Sequence, residues 1–468
     1  MLKTLLFHIF DILGKFVLNL DKVRYNLDMK DNITNEELKN RDLDVLWHPC
    51  TQMKDHEVLP LIPIKKAHGV FLEDFENKQY IDAISSWWVN MFGHTNTYIN
   101  EKIKEQLDTL EHVILAGFTH KQVVTLSERL VKLTPQNLDK CFYSDNGSSA
   151  VEVALKMSYH AHLNDGKKDK NIFVSLTNSY HGETIGALSV GDVELYKETY
   201  KPLLLQTLQT QVPKDMSLNA AIEAATLFEE LCKEKAQNIS ALIVEPLIQG
   251  AGSMHMYHEE YLVRVREICT RYDIHLIADE VMVGFGRTGE LFACEKAKIS
   301  PDFLVLSKGL TGGYLPLSVV LTSNNIYAKF YCDYNEHKAF LHSHSYTGNA
   351  LACAAANATL DIFENDNVIE NNKHIAHYMG EKLKRFLDLD NVEGIRQTGM
   401  VCAIDLKGYD VKLRMGLKVY QYALKQGVLL RPLGNVIYFM PPYIISTAQI
   451  DKMMDTAYEA ILEIKNIV

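Results

Sequence analysis

Three charged side chains each close a short apolar run that is typical of a buried strand. These residues are Glu245, Asp279 and Lys308. Open parallel sheets bind ligands at the carboxyl ends of their strands, so the three side chains are expected to lie together. A lone lysine in such a place is ordinarily a solvated surface group. A buried carboxylate at Asp279, however, lowers stability unless a cation or a strong hydrogen-bond donor meets it.

A pyridine-type cofactor can join the lysine and the aspartate. Asp279 would keep its ring nitrogen protonated, which makes the ring an electron sink, while Lys308 would form a Schiff base with it. An anion site should then exist, and Gly147-Ser148 provide one at the amino end of a predicted helix. A plain capped helix start is the alternative for that pair. Tyr180, in a turn after a strand, is placed to stack on the ring, unless it is an ordinary core tyrosine.

The elements that position these residues alternate between strand and helix. Residues 141–144 predict a strand, which passes through a tight turn at 145–148 into a helix over 149–157. Further buried strands are predicted from continuous apolar runs at 171–175, 241–245, 274–279 and 302–306. A helix is predicted over 259–272. This alternation indicates an α/β fold in which helices cover a mostly parallel sheet.

A change of pattern after about residue 350 predicts a second, smaller α+β domain. Amphipathic segments such as 371–387 alternate there with strand-like runs at 427–430 and 436–440. We therefore expect an amino-terminal extension at 1–43, a first part of the small domain at 44–84, a large domain at 85–345 and the rest of the small domain at 346–468.

The composition excludes several classes of function. A formal net charge of -11 with no long basic run argues against a binder of nucleic acid or of an anionic membrane. The eight cysteines include no Cys-x-x-Cys pair, which argues against zinc sites and a disulfide framework. No metal site is predicted, and a reducing cytoplasm fits best.

The first twenty residues are apolar but do not predict a membrane-spanning helix. His8, Asp11 and Lys15 interrupt the run, and a helix here would be amphipathic with one polar stripe. No clear secretory signal or cleavage site is present. Two alternatives stay open: the segment is a helix that binds a partner protein, or the natural start is Met29.

Longer motifs around Asp279 and Lys308 resemble a known family. The runs DEVMVGFGRTG at 279–289 and SKGLTGG at 307–313 are similar to those of the class III pyridoxal-phosphate aminotransferases. Four other runs resemble the branch that acts in biotin synthesis: LWHP at 46–49, SSWW at 85–88, EPLIQGAG at 245–252 and GNALACAAA at 348–356. The resemblance runs from about residue 44 to the carboxyl end. It implies a fold type I homodimer whose two subunits share their active sites.

The resemblance assigns cofactor and catalytic roles to individual residues. Lys308 becomes the Schiff-base lysine, Asp279 the partner of the ring nitrogen, and Tyr180 a third catalytic residue. The remaining cofactor-binding residues that it implies are Gly147, Ser148, Glu245, His344 and Ser345. His344 and Ser345 would reach the phosphate from the neighbouring subunit. The family usually has Gly-Pro-Thr at 343–345, and Ser345 keeps the hydroxyl of that motif.

The substrate-binding residues implied by the resemblance are Cys50, Trp87, Trp88, Tyr180, Lys308, Ser343 and Arg431. Neighbouring residues on a strand point to opposite faces. On a predicted strand, one of Trp87 and Trp88 would therefore line the site and the other would pack in the core; plain core packing is the alternative. Arg431 ends an apolar strand, where either a substrate carboxylate or an internal Asp or Glu would pair with it. Cys50 replaces a common aromatic residue of the family, which leaves the donor open. No base stands beside its thiol to support catalysis by it.

The resemblance implies ping-pong transfer of an amino group to 8-amino-7-oxononanoate, giving 7,8-diaminononanoate. S-adenosylmethionine is the favoured donor and lysine the alternative. The nearest rival is another ω-amino-acid aminotransferase of the same fold, against which Trp87-Trp88 and the run at 47–49 argue. A regulator that binds the cofactor without catalysis is a second rival, which an intact set of Lys308, Asp279 and Gly147-Ser148 disfavours.

Overall fold

Sixteen strands occur in the part of the chain described by this computed structural model, which covers residues 33–59 and 61–465. In chain order they are Ile64–His68 (β1), Phe71–Asp74 (β2), Gln79–Asp82 (β3), Lys140–Ser144 (β4), Ile172–Leu176 (β5), Thr207–Thr210 (β6), Ile239–Val244 (β7), Ile248–Gln249 (β8), His255–Met256 (β9), His275–Asp279 (β10), Phe303–Leu306 (β11), Ser318–Thr322 (β12), Val392–Thr398 (β13), Val401–Leu406 (β14), Val428–Leu429 (β15) and Val436–Phe439 (β16).

The α-helices of the same residues are Asn35–Val45 (α1), Thr97–Leu107 (α2), Lys121–Leu133 (α3), Gly147–Asn164 (α4), Ile185–Ser189 (α5), Glu194–Lys197 (α6), Leu218–Lys235 (α7), Glu260–Arg271 (α8), Ala293–Lys296 (α9), Asn324–Ala328 (α10), Ala350–Asn365 (α11), Val368–Leu383 (α12), Met415–Lys425 (α13) and Thr447–Ile464 (α14). Short 3₁₀ helices lie at Met53–Glu57, Glu198–Leu203, Lys308–Thr311, Tyr334–Glu336, Lys384–Asp388 and Val411–Leu413. Ser85–Trp88 forms a separate, left-handed turn.

A seven-stranded sheet in the order β4-β12-β11-β10-β7-β5-β6 carries the strand-end residues. All neighbouring pairs are parallel except those made by β12, which runs antiparallel to β11 and to β4. Every residue of β7, β10 and β11 is buried, as continuous apolar runs with helices on both faces require. The predicted α/β fold with a mostly parallel sheet is confirmed. The sequence did not indicate the antiparallel strand.

A smaller antiparallel sheet, β13-β14-β16, packs with helices from the carboxyl-terminal part of the chain. Its strand β14 contacts α12, and α14 contacts both α12 and α13. β15 pairs in parallel with β3 through Val428 with Ile81 and Leu429 with Asp82. These elements support the predicted α+β domain, and its boundaries at 44–84 and 346–468 stay a prediction.

The chain divides into two compact units. One contains the described residues up to Lys66 together with Leu72–Gln79, including α1 and the exposed Cys50. The other contains Ala67–Phe71 and the chain from Tyr80 onward, including the whole seven-stranded sheet. Among the described residues, no helix has the length and apolar character that crossing a membrane needs. The predicted amphipathic segment at 1–20 and the alternative start at Met29 lie outside the described residues.

Two stacked histidines are buried where α4 packs on β7 and β10. The rings of His162 and His275 lie 4.0 Å apart. His162 Nε2 donates to the Ser240 carbonyl at 3.1 Å, while its buried Nδ1 has no hydrogen-bond partner in the part of the chain that the structure describes. Burial lowers the pKa of His162 to about 4 and also places the pKa of His275 well below its usual range. Both rings are therefore neutral in the folded protein at neutral pH.

The buried pair predicts that the protein loses stability as the pH falls from about 6.5 towards 4. In that window the unfolded chain takes up protons that the folded chain excludes, at up to about 1.4 kcal/mol per pH unit for one group. Thermal unfolding midpoints at several pH values measure this effect. The midpoint of His162→Gln should fall less steeply than that of the wild type. If the unfolding midpoint depended on pH equally in the two proteins, His162 would not be the source of the effect.

Candidate active site

A cavity of about 440 Å³ opens at the carboxyl edge of the seven-stranded sheet. It brings together most of the sequence-predicted cofactor residues, namely Gly147, Ser148, Tyr180, Glu245, Asp279 and Lys308. Trp88, predicted as a substrate residue, also lines it. The position follows from the topology, because β7 and β10 end side by side and β11 leads into the 3₁₀ helix that begins at Lys308.

Lys308 begins that 3₁₀ helix with a φ of 44°, a strained backbone conformation for a residue other than glycine. Its Nζ lies 4.5 Å from the centre of the Trp88 ring. No carboxylate among the described residues lies within ion-pair distance of this Nζ. Burial lowers the pKa of Lys308 to about 8, although the charges of Asp279 and Glu245 oppose the shift. A large fraction of this amine is therefore neutral and nucleophilic near pH 8.

Asp279 is held by a histidine that the sequence analysis missed. The His181 ring donates from Nδ1 to Asp279 Oδ2 at 2.7 Å, and Asp279 Oδ1 accepts from the Val281 backbone N–H at 3.1 Å. Both side chains are buried, and His181 Nε2 has no hydrogen-bond partner among the described residues. The signal for His181 was its place beside Tyr180 in the turn after β5. These two donors fix the orientation of the carboxylate, which suits it as a partner for a cationic ring nitrogen.

Glu245 organises the loop that carries Tyr180. Its Oε1 accepts from the Tyr180 backbone N–H at 2.9 Å and its Oε2 from the Gly250 N–H at 2.8 Å. Burial raises the pKa of Glu245 to about 7. The Tyr180 hydroxyl donates to Glu183 at 3.0 Å, and its ring centre lies 5.5 Å from that of Tyr196. Glu245 thus positions the Tyr180 loop through backbone hydrogen bonds.

The predicted anion site of Gly147 and Ser148, here called the phosphate cradle, lies at the amino end of α4. The Asn146 side chain caps the helix by accepting from the Ser149 N–H at 3.0 Å. Ser148 Oγ accepts from the Glu183 N–H at 3.2 Å, which ties the helix to the Tyr180 loop. A Cβ on Gly182, whose φ is +118°, would lie 1.9 Å from Ser148 Oγ, so only glycine permits this approach. Backbone N–H groups at a helix start have no partners within the helix and favour an anion.

The two tryptophans lie on a left-handed turn, so the predicted strand at 85–88 is wrong. Trp88 is buried, and its Nε1 donates to the Tyr438 hydroxyl at 3.0 Å. Trp87 is 38% exposed, and the Arg431 guanidinium lies 4.6 Å from the centre of its ring. The expected division into a buried and an exposed tryptophan therefore results from the turn and not from strand alternation.

The predicted residues Ser343, His344 and Ser345 do not line the cavity. His344 Nε2 lies 3.2 Å from Oδ1 of Asp145, which lines the cavity, and the Ser345 carbonyl accepts from His112 at 2.7 Å. Ser343 is exposed on the same loop. Cys50 belongs to the other compact unit and is exposed. The roles of these residues stay predictions.

The chain is similar to known proteins over most of its length. The family model described as aminotransferase class-III matches residues 52–461. The chain belongs to this family. It is 53% identical to adenosylmethionine-8-amino-7-oxononanoate aminotransferase of Helicobacter pylori, over 92% of this chain and 99% of that protein. Identity to the protein of the same name from Geobacter sulfurreducens is 41%, over 90% and 96% of the two chains.

Solved structures agree with the family assignment. The crystal structure of adenosylmethionine-8-amino-7-oxononanoate aminotransferase from Methanocaldococcus jannaschii matches with a TM-score of 0.88 at 38% identity, over 91% of this chain and 98% of that one. A transaminase from the marine bacterium Virgibacillus matches with a TM-score of 0.85 at 28% identity, over 92% and 99% of the two chains. Fold type I is thereby confirmed.

The family depends on pyridoxal phosphate, and the residues of the cavity fit this cofactor. Gly147 and Ser148 would hold its phosphate, Asp279 its ring nitrogen and Lys308 its carbonyl carbon. A Cβ on Gly147 would lie 2.9 Å from a methyl group of Val281, so the glycine lets the helix start and this cavity wall lie close together. The buried Asp279 carboxylate faces the same space as an amine of lowered pKa, as this cofactor requires.

Replacement of Gly182 tests the cradle. Gly182→Ala should weaken the binding of pyridoxal phosphate by at least about tenfold, because its Cβ displaces Ser148 from the helix start. Equilibrium titration of the apoenzyme measures this affinity. Gly166→Ala is the matched control, since Gly166 also has a positive φ but a Cβ there meets nothing within 4 Å. Equal affinities for the two variants would refute the cradle.

Proposed function

We propose that this protein transfers an amino group to 8-amino-7-oxononanoate, giving 7,8-diaminononanoate in biotin synthesis, with S-adenosylmethionine as donor. The observation that carries the proposal is one cavity in which a lysine of lowered pKa, a buried aspartate held by histidine, and a helix start converge. The relatives named for this reaction match nearly the full length of the chain, which supports the specific substrate. Their name also includes the donor.

Lys308 is the proposed acid-base group of the transfer. When bound, pyridoxal phosphate supplies an electron sink that stabilises negative charge at the substrate carbon next to the nitrogen. Lys308 Nζ has a pKa of about 8, so it can both accept a proton from that carbon and return one. Asp279 would keep the ring nitrogen of the bound cofactor protonated, and His181 orients the Asp279 carboxylate through its Nδ1–H. The low polarity of the buried site strengthens these interactions.

Arg431 is the proposed receptor for the carboxylate of the keto acid. A guanidinium pairs with a carboxylate through two parallel hydrogen bonds, which fixes the direction of a long aliphatic substrate. Trp87 contacts this guanidinium through its ring face and offers apolar surface for the chain. Trp88 forms the inner wall beside Lys308. Ser343 and Cys50 remain proposed substrate residues on the resemblance alone.

We further propose a cytoplasmic homodimer with shared active sites. The loops around His112 and Ser345 contact each other and carry large exposed apolar side chains, including Phe118, Leu341 and Tyr346. Exposed apolar residues of this size are typical of an interface. His344 and Ser345 would contact the partner's phosphate from this surface. Five cysteines, Cys232, Cys269, Cys294, Cys353 and Cys402, are buried as thiols, which fits a reducing compartment.

A direct assay of diaminononanoate tests the function. Purified protein with 8-amino-7-oxononanoate should form product with S-adenosylmethionine and little with lysine or 4-aminobutyrate. Lys308→Ala should lower turnover by at least about 10²-fold, because it removes the acid-base group. Arg431→Gln should raise the KM for the keto acid by about tenfold or more while largely keeping kcat, since it removes a carboxylate contact distant from the reaction.

Two outcomes would overturn the proposal. Product from 4-aminobutyrate with another keto acid, and none from 8-amino-7-oxononanoate, would favour a different ω-amino-acid aminotransferase. Full turnover by Lys308→Ala would remove the catalytic role of the lysine. His255→Phe serves as a control variant, because the side chain of this histidine hydrogen-bonds the Pro213 carbonyl at 2.7 Å and does not line the cavity.

A further inference from the structure

The turn that carries the tryptophans has an unusual backbone. Ser85, Ser86, Trp87 and Trp88 have φ values of 52°, 46°, 70° and 74°. Side chains other than glycine rarely adopt a left-handed conformation, and a run of four such residues is rarer still. The sequence of this turn contains no glycine that would favour it. Interactions from outside the turn must therefore hold it in place.

Asp82 makes two hydrogen bonds to the turn and one to its entry, while the Ser85 hydroxyl donates to the Met440 carbonyl at 2.7 Å. Asp82 is fully buried at the end of β3. Its Oδ1 accepts from the backbone N–H of Ser86 at 2.9 Å and of Ile84 at 3.3 Å. Its Oδ2 accepts from Ser86 Oγ at 2.7 Å and from His94 Nε2 at 3.0 Å. One carboxylate thus binds the entry to the turn, the turn itself and a histidine beyond it.

His94 connects this carboxylate to a buried arginine. While its Nε2 donates to Asp82, its Nδ1 accepts from the Asn90 side-chain amide at 3.2 Å. The backbone carbonyl of Asn90 accepts from Arg287 at 3.2 Å, and Arg287 also donates to the backbone carbonyl of Pro441 at 2.9 Å. Arg287 is fully buried and makes no ion pair among the residues that the structure describes. Burial lowers the pKa of Arg287, and the charge of Asp82 opposes that shift. The chain segment on both sides of the tryptophans is therefore fixed by one hydrogen-bonded network.

The two side chains that this turn presents serve different parts of the active site. Trp88 places its ring 4.5 Å from Lys308 Nζ, and Trp87 places its ring 4.6 Å from the Arg431 guanidinium. A rotation of the turn would move both rings together, because the residues are adjacent. The turn thus couples the wall at the reactive amine to the proposed carboxylate receptor.

We propose that Asp82 and His94 are positioning residues that hold the left-handed turn and so set the substrate fit at Trp87 and Trp88. The keto-acid part of this inference rests on the proposed function, whereas the part on the turn does not. Neither residue lines the cavity, so each acts through the tryptophans.

Tryptophan fluorescence tests the turn without catalysis. The chain has three tryptophans, so Trp47→Phe leaves only Trp87 and Trp88 as emitters. In this background, His94→Phe removes the donor to Asp82 and should raise acrylamide quenching by about twofold, as the turn loosens and the buried ring meets solvent. His94→Gln, which keeps a donor, should restore much of the wild-type value. His255→Phe is the control for the loss of one imidazole hydrogen bond elsewhere.

The same variants are then assayed with 8-amino-7-oxononanoate. His94→Phe should raise its KM by about tenfold, with a smaller change in kcat, because misplacement of a positioning group costs substrate fit. Ser86→Ala removes only the hydroxyl contact to Asp82, and it decides the question if His94→Phe does not fold. It should give a smaller change in the same direction.

The outcomes separate this inference from the proposed function. Unchanged quenching and unchanged KM in folded His94→Phe and in Ser86→Ala would overturn the positioning role. If quenching changes as expected but the wild type does not aminate 8-amino-7-oxononanoate, the role of Asp82 and His94 in holding the turn stands and the substrate assignment fails.

Discussion

The site depends on one physical constraint, the removal of the Lys308 amine from water beside a buried carboxylate. Desolvation favours the neutral amine, while Asp279 and Glu245 favour the cation, and the balance lowers the pKa of the lysine to about 8. A surface lysine would be almost fully protonated at this pH and could not act as a nucleophile or base. A site that held the lysine but no nearby carboxylate would offer no partner to a cationic cofactor ring. The chemistry therefore needs both the burial of the amine and a nearby carboxylate, and the carboxyl edge of the sheet supplies both.

The rest of the fold serves to keep these groups at fixed positions. Parallel pairing of β7, β10 and β11 brings their carboxyl ends to one edge. Neighbouring acidic residues at this edge have separate tasks: Asp279 faces the cavity, whereas Glu280 accepts from the backbone of Ala293 and Cys294. Glu245 likewise binds backbone N–H groups. The carboxylates of Glu245 and Glu280 are thus satisfied by backbone donors, whereas Asp279 is held by His181 and the Val281 N–H and faces the cavity.

The sequence predicted the parts that follow local rules. Continuous apolar runs identified β5, β7, β10 and β11, and the turn before α4 identified the helix start at Gly147 and Ser148. Three features could not be predicted in this way. The run that forms β12 has the same apolar character as the parallel strands of the sheet, so the run itself does not indicate that β12 is antiparallel to both of its neighbours. The left-handed turn at Ser85–Trp88 is held by Asp82, four positions before Ser86, and His94 binds the same carboxylate from twelve positions further on; the residues of the turn do not themselves favour this conformation. The role of His181 depends on Asp279, which is 98 positions away in sequence, so no local pattern indicated this contact.

The most direct test of the account is the pH dependence with which the apoenzyme takes up pyridoxal phosphate, followed by the visible absorbance of the lysine-linked cofactor. The account predicts that the rate rises with pH around a midpoint near 8, because uptake requires the neutral Lys308 amine. Lys308→Ala should show no such absorbance at any pH. A midpoint near the ordinary lysine value of about 10.4 would contradict the account, since it would mean that the amine is not desolvated.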